Sequence, residues 1–433
     1  MRILLLGATG FIGSELTRAL TVGGHHVVGF GRDPALAACR LPGIEWRNGD
    51  LRLLKSTADW LPLLHEIDVV VNASGTLQTG LRDNVNQVQS AAICTLVDAC
   101  VTRNVSHFVQ LSACNADIGS TSDFLASKAQ ADTFLAASGL SYTILRPGLV
   151  IGRNAFGGSE MLRMAASLPW VGLHPSGTGS IQCTAMSDVV DAVLRSIAAP
   201  QTSLGSFDLV EPGGHKLGEI IQLHRRWMGF ATAHMDVTIP IWLMKPASLV
   251  ADAFGWLGWR SPLRSTAIAA LVQGVSGCAE HGQMLLGRPP LSLTETLAAL
   301  PPPGKADRWQ ARCALVFPLA LISLLLLWSV SGMLGLMRPG IAQSYLLSSG
   351  MPPGLAAMLV AAGSAADILL AAGLLLRATA RSSLQGTLML SGAYLAASLC
   401  VRPDLWLDPL APLLKILPII AVTLLCLAML DER

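Results

Sequence analysis

Charge is what this sequence has least of. Of its 433 residues, 13% are Asp, Glu, Lys or Arg, about half the ~25% of an ordinary soluble domain. The formal net charge is +2, so the chain carries no basic footprint for a nucleic acid. Lysine occurs at only six positions (55, 128, 216, 245, 305 and 415), and tyrosine at three: Tyr142, Tyr345 and Tyr394. Any chemistry that needs a phenol is confined to those three places. The nine cysteines are scattered and odd in number. They show neither CxxC nor Cys/His spacing, so no metal site is expected, and they read as reduced thiols facing a cytoplasm. No fixed-period repeat or low-complexity tract occurs. The opening MRILLLGATGFIG has an apolar run of only four residues before Gly7, too short for the roughly 7–15-residue core of a signal peptide.

Apolar residues fill the gap. They make up 52% of the chain, and the mean hydropathy is +0.53. They are concentrated toward the C-terminus in four segments, at 311–337, 352–376, 383–401 and 409–430. Crossing hydrocarbon takes ~20 apolar residues, so four spans are expected. Lys305, Arg308 and Arg312 precede the first, and Arg377 and Arg381 lie between the second and third. By the positive-inside rule these ends, with the N-terminal domain and the C-terminus, face the cytoplasm. LPPPGKADRW (300–309) reads as the hinge before the first span.

Two charges fall inside the expected spans. Asp367 lies well inside the second and Lys415 near the start of the fourth. They sit at depths differing by roughly 12 Å, so no ion pair between them is assumed. Lys415 can snorkel to the outer interface. Asp367 is expected to face the bundle interior, either toward a quinone-like or lipid ligand or in a structural hydrogen bond.

The first 150 residues alternate apolar runs (RILLLG, HHVVGFG, DVVVNASG, HFVQLSA, SYTILRPG) with helical patterns. Runs apolar on both faces belong to a parallel sheet of βαβ units. The first run enters GATGFIG, with Gly7, Gly10 and Gly13 three apart and a helix pattern following. Glycines there permit a tight turn and close backbone approach, and the helix N-terminus offers N–H groups to a pyrophosphate. Thr9, Phe11 and Ile12 complete this cradle. The second strand ends in GRD: Arg32 can fork onto a 2′-phosphate, so NADP(H) is favoured over NAD(H), while the adjacent Asp33 keeps NAD open. In NGDL, Asp50 can accept from an adenine amino group, with Leu51 beside it. Ala73, Ser74 and Gly75 of NASG are small enough for a cofactor to lie on the backbone.

Together GATGFIG, GRD, GDL, NASG, Ser112 of LSA, Lys128 and RPGLVIG (146–152) resemble the short-chain dehydrogenase/reductase superfamily, in its extended and atypical branches. Within it the chain is most similar to NmrA-like and complex I 39-kDa-subunit-like members, over roughly residues 1–235. SIQCTAMSDVVDAV (180–193) looks like a later strand–helix piece of the same group. Residues 306–433 resemble a DoxX-like four-helix membrane domain, above all at LWLDPLAPLLKILPII (405–420). The whole is similar to bacterial proteins that fuse the two, which implies a bacterial-type inner membrane.

The resemblance implies a tyrosine four residues before the lysine, whose phenol moves the proton while the ammonium lowers its pKa and binds the ribose. In DFLASK (123–128) that position is Phe124. Three readings stay open: Lys128 holds the ribose without standard catalysis; another donor (Ser112, Cys114, Ser127 or water) serves; or Lys128 is a solvated helix residue. Ser112 and Lys128 are the candidate catalytic residues.

Between the halves, residues 237–274 hold Trp242, Trp256 and Trp259 among few charges. They read as an interfacial segment or as an apolar lid over the substrate cleft. The expected architecture is a Rossmann-type α/β doubly wound parallel sheet at 1–235, a lid or interfacial segment and hinge at 236–305, and an all-α bundle of four transmembrane helices at 306–433. The expected function is a membrane-anchored NAD(P)(H)-binding oxidoreductase acting on a lipophilic or quinone-like compound. The alternative is a non-catalytic nucleotide-binding structural, assembly or sensor module, its protein partner undefined.

Overall fold

The computed structural model describes residues 1–75, 85–259, 261, 263–409 and 411–430. The chain divides into two compact units: Met1–Ala251 with Pro262–Arg308, and Asp252–Ser261 with Trp309–Arg433.

The first unit is built on strands β1 (Arg2–Leu6), β2 (His26–Gly31), β3 (Glu45–Asn48), β4 (Val69–Asn72), β5 (His107–Leu111), β6 (Tyr142–Pro147) and, later in the chain, β10 (Gly205–Leu209). They form one sheet in the order β10-β6-β5-β4-β1-β2-β3, with every neighbouring pair parallel. The period-two alternation of strand side chains explains the unbroken apolar runs. Leu4 and Leu6 of β1 point to one face, where Leu96 and Leu135 of two helices (Ala92–Thr102 and Asp123–Ala137) cover them. Ile3 and Leu5 point to the other, where Leu16 and Leu20 of Phe11–Val22 and Val189 and Val193 of Met186–Ala198 complete the core. With both faces covered, each strand must be apolar on both sides. Chain order runs outward in both directions from the β1/β4 boundary, the switch point where a doubly wound sheet opens a crevice at its carboxyl ends.

Two short parallel pairs lie beside the sheet: β7 (Leu149–Ile151) with β9 (Cys183–Ala185), and β8 (Val171–Ser176) with β11 (Met235–Pro240). Within the segment 236–305, the later residues of this unit pack into its cores. Leu285 and Leu286 of the helix Ala279–Leu286 enter the second face's core. Leu293 and Leu297 of Leu293–Ala299 pack with Ile151, Leu217 and Ile220. Two buried carboxylates fasten them. Asp188 accepts from the Arg288 guanidinium at 2.7 Å and the Leu291 N–H at 2.8 Å. Glu211 accepts from the Cys183 and Leu293 N–H groups, both at 2.7 Å. An apolar helix placed over an open sheet face buries more surface than it could as a mobile cover. That is why 279–299 belongs to the nucleotide unit.

Among the described residues, three helices, lying mainly in the second unit, are long and apolar enough to cross a membrane: Lys305–Met337, Pro353–Leu375 and Ala380–Val401. A shorter apolar helix, Ile416–Leu430, follows, in place of the full span expected at 409–430. Pro409 and Pro412 explain the late start, since proline lacks an N–H and disfavours helix in the residue before it. Lys415 consequently sits, exposed, in the turn before the helix rather than inside a span. A short helix, Pro339–Leu347, stands between the first two long ones. Phe317, Leu321, Leu324 and Trp328 pack with Leu374, Leu384 and Cys426. One end of the bundle is tied by polar contacts: the Trp259 indole donates to the Leu375 carbonyl at 2.8 Å, the Arg377 N–H to the Leu257 carbonyl at 3.0 Å, and the Arg377 guanidinium to the Leu430 carbonyl at 2.8 Å. Of the three tryptophans in 237–274, Trp242 and Trp256 are exposed and Trp259 packs on Phe317. Residues 260 and 262 of that segment lie outside the described residues.

Candidate functional site

The glycine turn follows directly from the sheet. Gly7 leaves β1 at φ +75°, a conformation that favours glycine, and a Cβ there would stand 2.6 Å from the Ala73 carbonyl oxygen and 2.9 Å from the Ser74 Cα. The turn therefore lies against the backbone leaving β4, and only a hydrogen fits between them. The Gly10 N–H closes the turn on the Gly7 carbonyl at 2.8 Å. A Cβ on Gly13 would overlap the Gly7 carbonyl group, so the helix starts as close to the strand as a backbone allows. Thr9 and Gly10 are exposed, Phe11 is half-buried, and Ile12 packs on the sheet core. The first N–H groups of a helix have no partner within it, which suits the start of Phe11–Val22 to an anion.

At the end of β2, Arg32 is exposed. Asp33 is engaged locally, its Oδ1 accepting from the Leu36 N–H at 3.0 Å and capping the helix Pro34–Arg40. Asp50 is claimed by a neighbour. Arg52 closes on it with Nε 3.0 Å from Oδ1 and 2.9 Å from Oδ2, and the Arg52 N–H adds a bond of 3.0 Å. These hydrogen bonds hold the Asp50 carboxyl below its ordinary range. Leu51 packs against the core of the first face instead of standing open.

The backbone after β4 is shaped by Asn72. Its Oδ1 accepts from the Ser74 N–H at 3.0 Å and the Ser74 hydroxyl at 2.5 Å, while its amide donates to Gln110 at 2.8 Å. Ala73 and Ser74 are half-buried and Gly75 is exposed. Lys128 then reaches this strand end from the helix Asp123–Ala137. It is 5% exposed, and its ammonium donates to the Leu111 carbonyl at 2.7 Å and the Ser74 carbonyl at 3.2 Å. Lys128 is thus not a solvated helix residue. Burial pushes its pKa down to about 8, against the pull of Asp132 one turn on. Gly75 leaves room beside it: a Cβ there would be 3.8 Å from Nζ and 3.7 Å from the amide nitrogen of Gln89.

The proton-carrier candidates fare differently. Ser112 faces away from solvent, donating to Asp132 Oδ2 at 2.6 Å. Asp132 is buried, with Arg146 3.4 Å from the same oxygen. Burial raises the Asp132 pKa against the opposing effects of Ser112, Arg146 and Lys128. The Cys114 thiol is directed at the Arg146 carbonyl, and burial, with Asp208 adding to it, raises its pKa to about 12. Ser127 donates to Gln89 at 3.3 Å and to the Phe124 carbonyl at 3.1 Å. Phe124 is half-buried. Tyr142 begins β6, opposite Phe108, and packs in the sheet core; the glycine turn lies at the other, carboxyl end of the strands. The sequence reading missed Asp132, Arg52 and Gln89. Lys128 and Asp132 have the i, i+4 spacing of helix neighbours, a signal that was there to be used. Gln89 lies on a π-turn, Gln87–Ala91, which no local pattern announces.

Residues 7–165 match the family model described as NAD(P)H-binding, and residues 325–424 match the DoxX-like family. Among curated proteins the chain is similar to the photosystem II assembly factor Ycf39 of Trieres chinensis. The two are 27% identical over 261 residues, covering 60% of this chain and 77% of that protein. It is similar to the Ycf39 of Cyanophora paradoxa at 27% over 263 residues, covering 60% and 78%. Solved structures of like fold include a UDP-glucuronic acid 4-epimerase from Bacillus cereus in complex with UDP-glucuronic acid and NAD. Its TM-score is 0.51 at 16% identity, covering 72% of this chain and 99% of that one. MoeE5 in complex with UDP-glucuronic acid and NAD has a TM-score of 0.52 at 20% identity, covering 69% and 97%. At these identities the two structures speak for the fold alone. The chain thus joins a segment that matches the NAD(P)H-binding model to a later one that matches the DoxX-like family.

Proposed function

We propose that this protein is a membrane-anchored NAD(P)(H)-binding module that holds its nucleotide without tyrosine-dependent catalysis and serves in the assembly of a membrane complex. One observation carries the reading. Gly7, Gly13 and Lys128 line one strand end, whereas the described side chains weighed as replacements for the phenol are engaged elsewhere: Ser112 with Asp132, Cys114 with a carbonyl and Ser127 with Gln89. The similarity to a photosystem II assembly factor supports the assembly role.

The residues present fit a dinucleotide. The N–H groups after Gly10 would take the pyrophosphate, the Ala73–Gly75 backbone would carry the nicotinamide half, and Lys128 would donate to the ribose. When bound, the cofactor would supply hydride chemistry. Arg32 favours NADP(H): it stands exposed at the strand end while Asp33 is occupied as a helix cap. The soluble unit and the C-terminus face the cytoplasm of a bacterial-type inner membrane, in keeping with the arginines at one set of helix ends.

A second reading is an oxidoreductase acting on a lipophilic or quinone-like compound. It is favoured by the Lys128 ammonium, two of whose three protons are spent on Leu111 and Ser74. NADPH oxidation by the purified full-length protein with candidate quinones separates the two. Nucleotide binding without turnover is expected, and sustained oxidation would replace the first reading with the second. Arg32→Glu is expected to weaken NADPH binding by roughly 10–100-fold, the worth of a charge-assisted contact, and to spare NADH. Equal loss of both would remove the NADP preference.

A further inference from the structure

The second unit holds a carboxylate that the nucleotide site does not use. Asp367 lies near the middle of Pro353–Leu375 and is 3% exposed. Its Oδ2 accepts from the Ser331 hydroxyl at 2.7 Å and its Oδ1 from the Tyr394 hydroxyl at 3.1 Å. Ser331 comes from Lys305–Met337 and Tyr394 from Ala380–Val401, so three long apolar helices meet at one carboxylate.

Glycine makes the meeting possible. A Cβ on Gly332 would stand 2.7 Å from the Ser364 carbonyl oxygen and 3.1 Å from the Asp367 Cβ. A Cβ on Gly363 would stand 3.1 Å from the Tyr394 hydroxyl oxygen. Among the described residues no lysine, arginine or histidine bears on Asp367; Tyr394 is the one other titratable group that does.

Leaving a bare carboxylate in hydrocarbon is costly, and such groups are ordinarily paired with a cation or serve a function. Here the partners are two hydroxyls, and a hydroxyl both donates and accepts. Toward the anion both donate. Toward the acid, either oxygen can turn and accept the carboxyl proton. The site is therefore hydrogen-bonded in both protonation states by rotation of two O–H bonds, which an ion pair would not permit. Asp367 is itself buried, but Ser331 is exposed on the unit's surface and Tyr394 is 37% exposed.

We propose that Asp367 is a proton-binding site of the membrane unit, and that the Ser331 and Tyr394 hydroxyls are the path by which the proton arrives and leaves. On uptake, a proton enters at a hydroxyl oxygen, the hydroxyl's own proton passes to the carboxylate, and both hydroxyls end unchanged. Release is the reverse. The proposal does not rest on nucleotide binding.

The test uses the intact protein in lipid nanodiscs and dicyclohexylcarbodiimide, a lipophilic reagent that condenses with a protonated carboxyl group to a stable acylurea. The readout is the mass of the peptide containing Asp367. The expected result is modification that declines as pH is raised and falls to background in Asp367→Asn. Tyr394→Phe and Ser331→Ala should displace the midpoint of that decline by about one pH unit. Absence of modification at every pH at which the bundle retains its thermal transition would overturn the proposal. A midpoint unmoved in both hydroxyl variants would overturn the path. Protection by sodium ions at constant pH would assign a metal cation instead of a proton. Should Asp367→Asn fail to fold, the infrared carboxyl band of the unmodified protein supplies the same titration.

Discussion

Lys128 sets two pH effects against each other. Its folded-state pKa of about 8 lies below the ordinary 10.5, so its contribution to fold stability is least below about pH 8 and grows as pH rises from about 8 to about 10.5. Over that window the gain for this buried group is on the order of 3 kcal/mol. Nucleotide affinity should run the other way, because the ammonium that would hold the ribose is lost above about pH 8. Titration of NADPH binding across that range should show weakening of roughly tenfold or more, while the melting temperature of the nucleotide-free protein shows no parallel loss. Lys128→Met should abolish the pH step in binding. The bare pair Phe124 and Lys128 was legible in the sequence, since the i, i+4 spacing fixes their shared face. What surrounds them was not. The Ser112–Asp132 bond joins positions 20 residues apart on a strand and a helix, and Arg52 takes Asp50 through a local turn that residue identity alone does not specify.

At the scale of elements, the glycine turn is the most constrained backbone in the first unit. Gly13→Ala would force a methyl group into the Gly7 carbonyl and push the helix Phe11–Val22 off the strand. The expected cost is about 1–3 kcal/mol of stability with loss of nucleotide binding, read by thermal unfolding and calorimetric titration. By contrast, Asp33→Ala should cost about 1 kcal/mol through the lost cap on Pro34–Arg40 and leave NADPH affinity near its original value. The two variants separate damage to the cradle from damage beside it. Strands were the easiest elements to read: β1, β4 and β5 are short apolar runs because both faces of a parallel sheet are covered. The fourth apolar helix starts later than its composition suggests, because hydropathy ignores the missing N–H groups of Pro409 and Pro412.

At the scale of the whole chain, the nucleotide unit is not a segment. It runs to Ala251, is interrupted at Asp252–Ser261, and resumes to Arg308. Truncation after residue 235 removes Leu285, Leu286, Leu293 and Leu297 from two cores, leaves Asp188 buried without Arg288 and the Leu291 N–H, and takes the Leu293 N–H from Glu211. Such a fragment should be recovered largely aggregated, and its soluble fraction should melt well below the full chain. The two-part architecture was legible, since the charge-poor C-terminal segments and the glycine turn are local. The interruption was not, because it depends on where Trp259 finds its acceptor. That acceptor, the Leu375 carbonyl, lies 116 residues further along the chain. At roughly 5–20 residues per second on the ribosome, the tryptophan waits about 6–23 s for it. During that interval the nucleotide unit can close around 279–299 while the ten-residue interruption has nowhere to dock. The order of synthesis thus allows the nucleotide unit to be a finished object before the helices that follow can claim the piece of chain that passes through its middle.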